Sequence, residues 1–545
     1  MASPLPAEPG PAPRRPNPSY SSLPELSKPF VIDPANRSYR HQYSNVYFVR
    51  LVELRPIVEK RAEERWKAVR GKPPLLPRIL NLQRSQLCYI VGTVYLDMPL
   101  KPNVLEDMAR DHWIVPPAPR PEFFSAQDAV HLEDESGRVR LVGDVIKRER
   151  DREGGGLVTG LIMAVLGMET SSGDFEVVDL CFAGLPELYK APGDVNGTGH
   201  GKVKGKGKGK GKAEGMDVDE APLSGQDKTW VALVSGLSVG AQEAPADLKT
   251  QLLVEWLTGE SGGPSRTRGS RLQDQLEGAR VARLILAGNS LTMPVRGTDD
   301  KQPKRFNTSN KTLYPSHPTK TLSLVLSDIL SSALPINLIP GPSDPAGATL
   351  PQQPLPSVMF GGPKVKGLEC MTNPAWLEVG ERRSEHVSEH HLSQALVHGK
   401  GETLNRDSFF GTGGQTIDDV YKYLPSNARL SMARRTLEWR HIAPTAPDTL
   451  WMYPFPDADP FILRQRPDVY FIGNQPEFET ALVGDADAPT RIILLPSFAK
   501  TGQVALLCLE TLECKTVEFE VPTWVGEANG HGVGGMKEEG DVKME

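Results

Sequence analysis

VARLILAGNSL, residues 281–291, is a short and mostly apolar run that stops at Gly288 and Asn289. Strands buried on both faces of a parallel sheet show this pattern, because neither face needs polar side chains. In such sheets the chain turns at the carboxyl end of the strand, and ligand or metal sites lie in the crevice formed there. The run therefore predicts a buried strand that ends at a candidate site.

Three other stretches have the same form, an apolar strand followed by a turn rich in glycine, serine, asparagine or proline. They are residues 230–240 (WVALVSGLSVG), 336–345 (INLIPGPSDP) and 469–478 (VYFIGNQPEF). Residues 320–334 form a helical pattern between two of them, and alternation of this kind predicts an α/β layered domain. We place that domain at residues 229–525, with a polar, histidine-rich surface insertion at 381–407.

The composition is that of an ordinary soluble protein, and the chain is long enough for several domains. It has 545 residues, a net charge of −6 and 39% hydrophobic residues, and no apolar run approaches the ~20 residues of a membrane span. The mildly acidic balance argues against a protein that coats duplex DNA, which needs many lysine and arginine contacts to phosphate. The five cysteines are scattered, without a C-x-x-C pair. Their spacing argues against a disulfide framework or a cysteine zinc site, and for a reducing compartment.

Two segments precede the first β-rich region. Residues 1–36 are rich in proline and serine and poor in helix signals, and we expect them to be mostly disordered. Residues 37–80 are interpreted as an amphipathic helix and a connector, because apolar side chains recur there at helical spacing. Pro56 lies inside this pattern and is expected to kink or divide the helix.

Residues 81–187 contain several short β-branched segments separated by glycine-containing turns. This arrangement predicts a small Greek-key barrel of the oligonucleotide-binding (OB) type. Barrels that bind single strands usually carry exposed aromatic and basic side chains on one face. These strands instead carry acidic residues such as Glu135, Glu176 and Asp179. We therefore expect the barrel to bind protein.

Two further segments have compositions that cannot form a core. Residues 188–228 include alternating glycine and lysine followed by an acidic end, which is typical of a flexible linker. Nuclear import or a nucleic-acid contact is the alternative role for these lysines. Residues 526–545 are rich in glycine, glutamate and lysine, and we expect a disordered tail.

The strand-end loops resemble those of calcineurin-like metallophosphoesterases, which read Asp-x-His, Gly-Asp, Gly-Asn-His-Asp/Glu and Gly-His-x-His. In that family these side chains hold two cations about 3.5–4 Å apart, which activate a water and polarise the phosphate. The resemblance implies that the ligands have been lost at Gly236, Ser238, Asn289, Pro342, Ser343, Asn474 and Pro476. Glycine and proline have no side-chain donor, and neutral serine or asparagine cannot replace the anionic oxygens that hard cations prefer. We expect a catalytically dead phosphoesterase-like domain without a metal.

A degenerate phosphoesterase domain preceded by an OB barrel resembles the B-subunit family of replicative DNA polymerases, and within it the small subunits of DNA polymerase delta. The resemblance runs from about residue 38 to residue 522, apart from the glycine–lysine linker and the insertion at 381–407, and its most specific motif is RHIAPTAPDTLWMYP at 440–454. Further motifs are RL at 50–51, LRP at 54–56, LEDE at 132–135, LVTG at 157–160, LPQQP at 350–354, FGTGGQ at 410–415 and DPF at 459–461.

This resemblance implies a non-catalytic scaffold in the nucleus. One surface would hold the cysteine-rich C-terminal domain of the catalytic subunit and another the third subunit, with the sliding clamp and DNA reached indirectly. An iron–sulfur cluster would then belong to the catalytic subunit, and we expect no cofactor in this chain. The open alternatives are the B subunit of another replicative polymerase, an active metallophosphoesterase and an independent single-strand binder.

Within the 440–454 motif, the resemblance implies signature residues with structural roles: His441, Pro444, Thr445, Pro447 and Asp448. Pro444 and Pro447 fix backbone angles, and Asp448 is expected to bond nearby amides in a turn. We expect His441 to be a hydrogen-bonded structural histidine, since a metal site needs several ligands together.

Three other patterns have competing interpretations. Residues 386–390 (HVSEH) match the H-x-x-E-H pattern of one zinc protease class, but they lie in the polar insertion without a core helix. The glycines at 154–156 form a turn rather than a phosphate cradle, because no Lys-Ser/Thr pair follows. For Arg434, Arg435 and Arg440, the alternative to a contact with DNA is a contact with a partner protein or a solvated helix face.

Overall fold

The computed structural model describes residues 15–102, 120–152, 156–190, 228–241, 244–260, 277–293, 316–362, 365–381, 405–486 and 488–521. Five predicted features lie wholly or mostly outside them: the linker, the surface insertion, the tail, the HVSEH pattern and the glycine turn at 154–156. Within the described part of the chain, no helix combines the length and apolar character needed to cross a membrane.

The N-terminal region has more structure than the sequence indicates. It contains strand β1 (Ser19–Ser21), helix α1 (Pro24–Ser27), a 3₁₀ turn (Lys28–Phe30), helix α2 (Ser44–Trp66) and a second 3₁₀ turn (Ile79–Asn81). β1 pairs antiparallel with residues 378–380 of a later strand. Phe30 is only 3% exposed and packs against Phe410 and Phe461. The prediction of a mostly disordered segment is therefore wrong for residues 15–36, because a sheet edge and a distant core stabilise them.

Helix α2 lies against the barrel along one apolar face, which includes Val46, Leu54 and Val58. It continues through Pro56 as one helix, so the predicted division does not occur. Proline removes the hydrogen bond to the carbonyl of Val52. Both residues lie on the exposed side of the helix, where water can satisfy that carbonyl.

The structure confirms the predicted barrel. Its elements are β2 (Cys88–Asp97), β3 (Ala129–Glu133), β4 (Arg138–Val142), α3 (Asp144–Asp151), β5 (Ile162–Glu169) and β6 (Phe175–Phe182). The strands close in the order β2-β3-β4-β6-β5. Gly143 (φ 114°) ends β4, and α3 begins at the next residue, Asp144.

The remaining strands form two six-stranded sheets. The first, in the order β10-β9-β8-β7-β16-β17, contains β7 (Trp230–Val234), β8 (Val281–Ala287), β9 (Ile336–Ile339), β10 (Leu368–Cys370), β16 (Gln503–Cys508) and β17 (Cys514–Glu518). The second, in the order β1-β11-β12-β13-β15-β14, contains β11 (Ala375–Glu381), β12 (Asn405–Thr412), β13 (Val469–Gln475), β14 (Glu479–Asp485) and β15 (Ala488–Pro496). Residues 381 and 405–407, which we had placed in the insertion, instead extend the β11–β12 pair.

Apolar side chains between the two sheets form a shared core, which includes Leu233, Ile285, Phe409 and Phe471. Helices cover the outer faces: α4 (Ala244–Thr258) and α5 (Ser316–Ser331) on the first sheet, α6 (Gln415–Lys422) and α7 (Arg429–Glu438) on the second, with the short α8 (Phe498–Thr501) and a 3₁₀ turn (Ser357–Phe360) beside the first. Because both faces of β8 are covered, all seven of its residues are buried. This explains its mostly apolar sequence.

The barrel and the second sheet share one hydrophobic core. Aromatic contacts connect Phe182 with Trp439 (6.4 Å between ring centroids) and Phe123 with Tyr423 (5.9 Å). The barrel therefore packs on the same side of the sheet as α6 and α7, and the strand-end loops lie within one continuous folded body.

Candidate functional site

The loops that follow β7, β8, β9 and β13 converge, as their sequences predict. The N–H of Gly236 donates to the carbonyl of Gly288, and the N–H of Gly288 donates to that of Ile339, both at 2.9 Å. The loop after β13 joins them through Ser235, whose Oγ accepts from the N–H of Asn474 at 2.9 Å. The first sheet and the second sheet therefore meet at this junction.

Glycines allow the loops to pack backbone against backbone. A Cβ atom at Gly288 would lie 3.1 Å from the Cα atoms of both Gly341 and Gly413. A Cβ atom at Gly473 would lie 2.0 Å from the carbonyl oxygen of Ala287, which is too close for any residue other than glycine. The protein's own backbone therefore fills the centre of the junction.

Three neutral amide side chains, those of Gln352, Asn373 and Gln415, form a closed network beside these glycines. Oε1 of Gln352 accepts from Nδ2 of Asn373 at 2.8 Å and from Nε2 of Gln415 at 2.9 Å. Nδ2 of Asn373 also donates to Oε1 of Gln415 at 2.9 Å. Oδ1 of Asn373 accepts the N–H of Gly413, and Nε2 of Gln352 donates to the carbonyl of Gly341. The side-chain oxygens of this network thus already accept hydrogen bonds from the protein itself.

Asp344 contributes a buried carboxylate to the junction, and its oxygens accept hydrogen bonds from backbone N–H groups. Oδ1 accepts the N–H of Leu291 at 2.8 Å, while Oδ2 accepts that of Gly341 at 2.8 Å and that of Ser290 at 3.3 Å. Burial raises the pKa of Asp344 to about 6, although these backbone donors favour the charged form. Asp344 therefore connects the loops after β8 and β9.

We expect Asp344→Asn to lower the free energy of unfolding by about 1–3 kcal/mol, since its NH₂ group would face backbone N–H donors and leave them without acceptors. Urea denaturation measures the loss. Asp328→Asn, at an exposed position on α5, is the matched control and should change stability by less than about 0.5 kcal/mol. Equal stability of the two variants would mean that Asp344 does not hold the loops.

The structure brings five of the seven predicted positions together and leaves two outside. Gly236, Ser238, Asn289, Ser343 and Asn474 take part in contacts between loops; for example, the N–H of Ser343 donates to Oδ1 of Asn289 at 2.9 Å.

Pro342 and Pro476 are the two positions outside, and both are exposed. Among the described residues, no group of three or more histidine, cysteine, aspartate or glutamate side chains is placed to hold a metal ion. Apart from the carboxylate of Asp344, which accepts hydrogen bonds from backbone N–H groups, the groups that converge are neutral side chains and backbone groups, a set that does not fit a pair of hard cations.

A second buried cluster lies between α2, the barrel and the 440–454 motif. Nε of Arg50 donates to Oδ2 of Asp459 at 2.8 Å, and neither side chain is exposed. The remaining guanidinium nitrogens donate to the carbonyls of Gly160 (3.1 Å), Pro444 (2.7 Å) and Ala446 (2.8 Å). A charge on the apolar face of α2 is therefore fully compensated.

His441 completes this cluster as a neutral imidazole. Its Nδ1 accepts the N–H of Ala443 at 3.2 Å, so Nε2 carries the proton and donates to Oδ2 of Asp459 at 2.8 Å. Burial, together with the nearby Arg50, lowers the pKa of His441 to about 4. Burial alone would raise the pKa of Asp459, but His441 and Arg50 bring it below its usual value.

Acid should destabilise the fold through His441. Its pKa is 6.5 in a model peptide and about 4 in the folded chain, so the unfolded state binds the proton more tightly. The contribution of His441 to stability therefore falls as the pH decreases through this interval, by about 1–3 kcal/mol. The measurement is urea unfolding at several pH values for the native chain and for His441→Asn. The difference in stability between the native chain and the variant should shrink as the pH falls through this interval, and parallel curves would contradict the assignment.

The other motif residues have backbone roles, with one exception. The carbonyl of Pro444 accepts from Arg50, that of Thr445 accepts the N–H of Thr449 at 3.1 Å, and Pro447 follows Ala446, whose carbonyl also accepts from Arg50.

The exception is Asp448, which we expected to bond turn amides. Its Oδ2 instead accepts from Nζ of Lys101 at 2.8 Å and from the hydroxyl of Tyr423 at 3.0 Å. The turn therefore presents this carboxylate to two side chains from other elements.

The three arginines considered as a DNA contact make internal bonds. Arg435 pairs with Glu149 at 2.7 Å and with Glu438 at 2.9 Å, and Arg434 also pairs with Glu438. Nε of Arg440 donates to the carbonyl of Gly184, where the barrel ends. The contacts of Arg435 with Glu149 and of Arg440 with Gly184 connect α7 and the residue after Trp439 to the barrel.

Tyr95 is a half-buried aromatic residue of β2 in the barrel, and two cations already lie over its ring. The guanidinium of Arg138 lies 4.3 Å from the ring centroid, and Nζ of Lys101 lies 5.0 Å from it. A base that stacked on Tyr95 would have to displace them. This arrangement is unfavourable for an independent single-strand binder.

The partners of the predicted residues could not be identified from the sequence. Gln352, Gln415 and Asp459 lie within the motifs given above but carry no local signal of their roles, and Asn373 lies outside those motifs. Arg50 offered a signal, since it is a charged residue at the helical spacing of the buried Val46 and Leu54. A charge in that position requires a buried partner.

Comparison with known proteins now identifies the family. Residues 42–180 match the model of the DNA polymerase delta subunit OB-fold domain, and residues 231–480 match that of the B subunits of DNA polymerases alpha and epsilon. The DNA polymerase delta small subunit of Arabidopsis thaliana is 33% identical over 88% of this chain and 91% of the relative. That of Oryza sativa subsp. japonica is 33% identical over 88% and 93%, and that of Saccharomyces cerevisiae is 30% identical over 91% and 93%. The chain therefore belongs to the family of DNA polymerase delta small subunits and is an accessory subunit of that polymerase.

Proposed function

We propose that this accessory subunit is a non-catalytic scaffold, which holds the cysteine-rich C-terminal domain of the catalytic subunit on one surface and the third subunit on another. The observation that carries the proposal is the closed packing of the strand-end loops. Gly288, Gly341 and Gly413 bring the loops into backbone contact at the position where a hydrolytic site of this fold would bind its substrate. Without that space, the domain contributes surface rather than chemistry.

We infer that the α/β domain is a degenerate metallophosphoesterase-like fold. Two facing sheets with helices outside and glycine turns at the strand ends support this origin. The two metal ions of such an enzyme do not fit the residues present, since Ser238, Asn289 and Asn474 are neutral and Gly236 has no side chain. The carboxylate of Asp344 is already bonded to backbone N–H groups.

The cysteines support the absence of a metal centre in this chain. The five cysteines are scattered along the chain without a C-x-x-C pair, and among the described residues no group of three or more possible metal ligands lies together. The iron–sulfur cluster of the complex would accordingly belong to the catalytic subunit. As a scaffold for replication and repair synthesis, the chain would act in the nucleus and reach the sliding clamp and DNA through its partners.

The test is co-expression of the full chain with the cysteine-rich C-terminal domain of the catalytic subunit, and separately with the third subunit. Gel filtration and metal analysis follow. A stoichiometric complex with each partner, and metal only in the presence of the catalytic domain, is the expected result. Two equivalents of manganese or zinc on the chain alone, with hydrolysis of a phosphodiester, would instead establish the metallophosphoesterase alternative.

A further inference from the structure

Three aromatic side chains project into solvent from one region of the surface. They are Tyr39 (62% exposed), Tyr43 (46%) and Trp451 (68%), and we call them the aromatic patch. Large aromatic side chains bury much area when they enter an interface. Their exposure together is unusual, since isolated apolar residues on a surface need no explanation but clusters do.

Distant parts of the chain hold the patch together. The ring of Tyr39 lies edge-on to that of Tyr453, 5.5 Å between centroids, and the hydroxyl of Tyr43 donates to the carbonyl of Met452 at 3.1 Å. Trp451 directly precedes Met452, and its own carbonyl accepts the N–H of Leu350 at 2.9 Å. These contacts fix the rings of Tyr39 and Tyr43 and the backbone at Trp451 before any partner binds, which reduces the entropy lost on association.

The border of the patch is basic. Arg37, Arg40 and His41 flank Tyr39 and are exposed. Within the described part of the chain, neither Arg37 nor Arg40 forms an ion pair with a carboxylate. Tryptophan, tyrosine and arginine are the side chains that contribute most to protein interfaces. Their combination here is complementary to an apolar surface bordered by carboxylates.

We propose that the aromatic patch is the docking surface for another subunit of the polymerase, at a place where that subunit presents apolar side chains bordered by aspartate or glutamate. This inference rests on the scaffold function proposed above and locates one of its interfaces. Single-stranded DNA is the competing ligand, because bases also stack on exposed aromatic rings beside arginines.

The experiment measures the affinity of the full chain for the catalytic subunit and for the third subunit, each purified separately, by biolayer interferometry. One variant combines Tyr39→Ala with Trp451→Ala, and a second combines Arg37→Glu with Arg40→Glu. Leu80→Ala with Leu482→Ala is the control for exposed apolar residues, which are 78% and 52% exposed in the native chain. Lys60→Glu with Lys67→Glu, at exposed positions of α2 and its end, is the control for charge. Thermal unfolding confirms that all variants are folded.

The aromatic variant should bind one of the two partners at least about thirtyfold more weakly, and the arginine variant should slow association with the same partner. Both controls should bind like the native chain. Native affinity that survives in both patch variants would overturn this inference and leave the scaffold function intact, whereas a native chain that binds neither partner would overturn both. Loss of fluorescein-labelled oligo(dT) binding, with the affinity for both partners unchanged, would assign the patch to single-stranded DNA and also overturn the inference.

Discussion

Replacing Arg50 with methionine is expected to lower the free energy of unfolding by about 3–5 kcal/mol, the usual effect of removing one partner from a buried ion pair. The guanidinium bonds Asp459 and the carbonyls of Gly160, Pro444 and Ala446. Methionine fills much of the volume but donates no hydrogen bond. The variant therefore leaves a buried carboxylate and three carbonyls short of a donor, in the contact between α2, the barrel and the 440–454 motif. Urea unfolding followed by circular dichroism measures the change.

Arg55 provides the matched control for this prediction. It lies on the same helix and pairs with Glu135 at the surface, with side chains 23% and 39% exposed. Arg55→Met should therefore change stability by less than about 1 kcal/mol. Adding Asp459→Asn to Arg50→Met should cost less than the sum of the two single changes, since no unpaired carboxylate then remains. An Arg50 variant as stable as the Arg55 variant would show that this cluster does not hold the domains together.

The strands could be predicted from the sequence where the signal is local. Residues 281–287 are mostly apolar because both faces of β8 are covered, and the glycine that follows turns the chain at once. β1 gives no such signal, as its three residues are only partly buried and are stabilised by pairing with residues 378–380. A pattern search within one segment cannot find a strand whose stability comes from so distant an edge.

The candidate site, too, could be predicted from the sequence only in part. Its position at the strand ends follows from the glycine turns, and the predicted loops do meet. The groups that fill it could not be predicted, because Gln352 and Asn373 come from connections outside the four strand-end stretches. Similarly, the histidine of the 440–454 motif indicated a structural role, but its link to Arg50 depends on the packing of α2 against a distant motif.

Phe30→Ala should also lower the free energy of unfolding by about 3–5 kcal/mol, the usual range when alanine replaces a buried phenylalanine. Phe30 is 3% exposed, and its ring centroid lies 6.3 Å from that of Phe410 and 6.2 Å from that of Phe461. Truncation therefore leaves a cavity in the core shared by the barrel and the second sheet. Deletion of residues 1–36 should destabilise at least as much, since it also removes β1 from the edge of β11.

The neighbouring residue, Val31, is the control for Phe30, because it lies in the same segment but is not buried. Val31 follows Phe30 directly but is 56% exposed, so Val31→Ala should change stability by less than about 0.5 kcal/mol. Urea unfolding of both variants gives the comparison. A large difference between adjacent positions requires a fixed conformation of the segment, because a disordered chain would expose both side chains equally. If the two variants were instead equally stable, residues 15–36 would not belong to the folded core, and the disorder expected from their proline-rich sequence would be the better description.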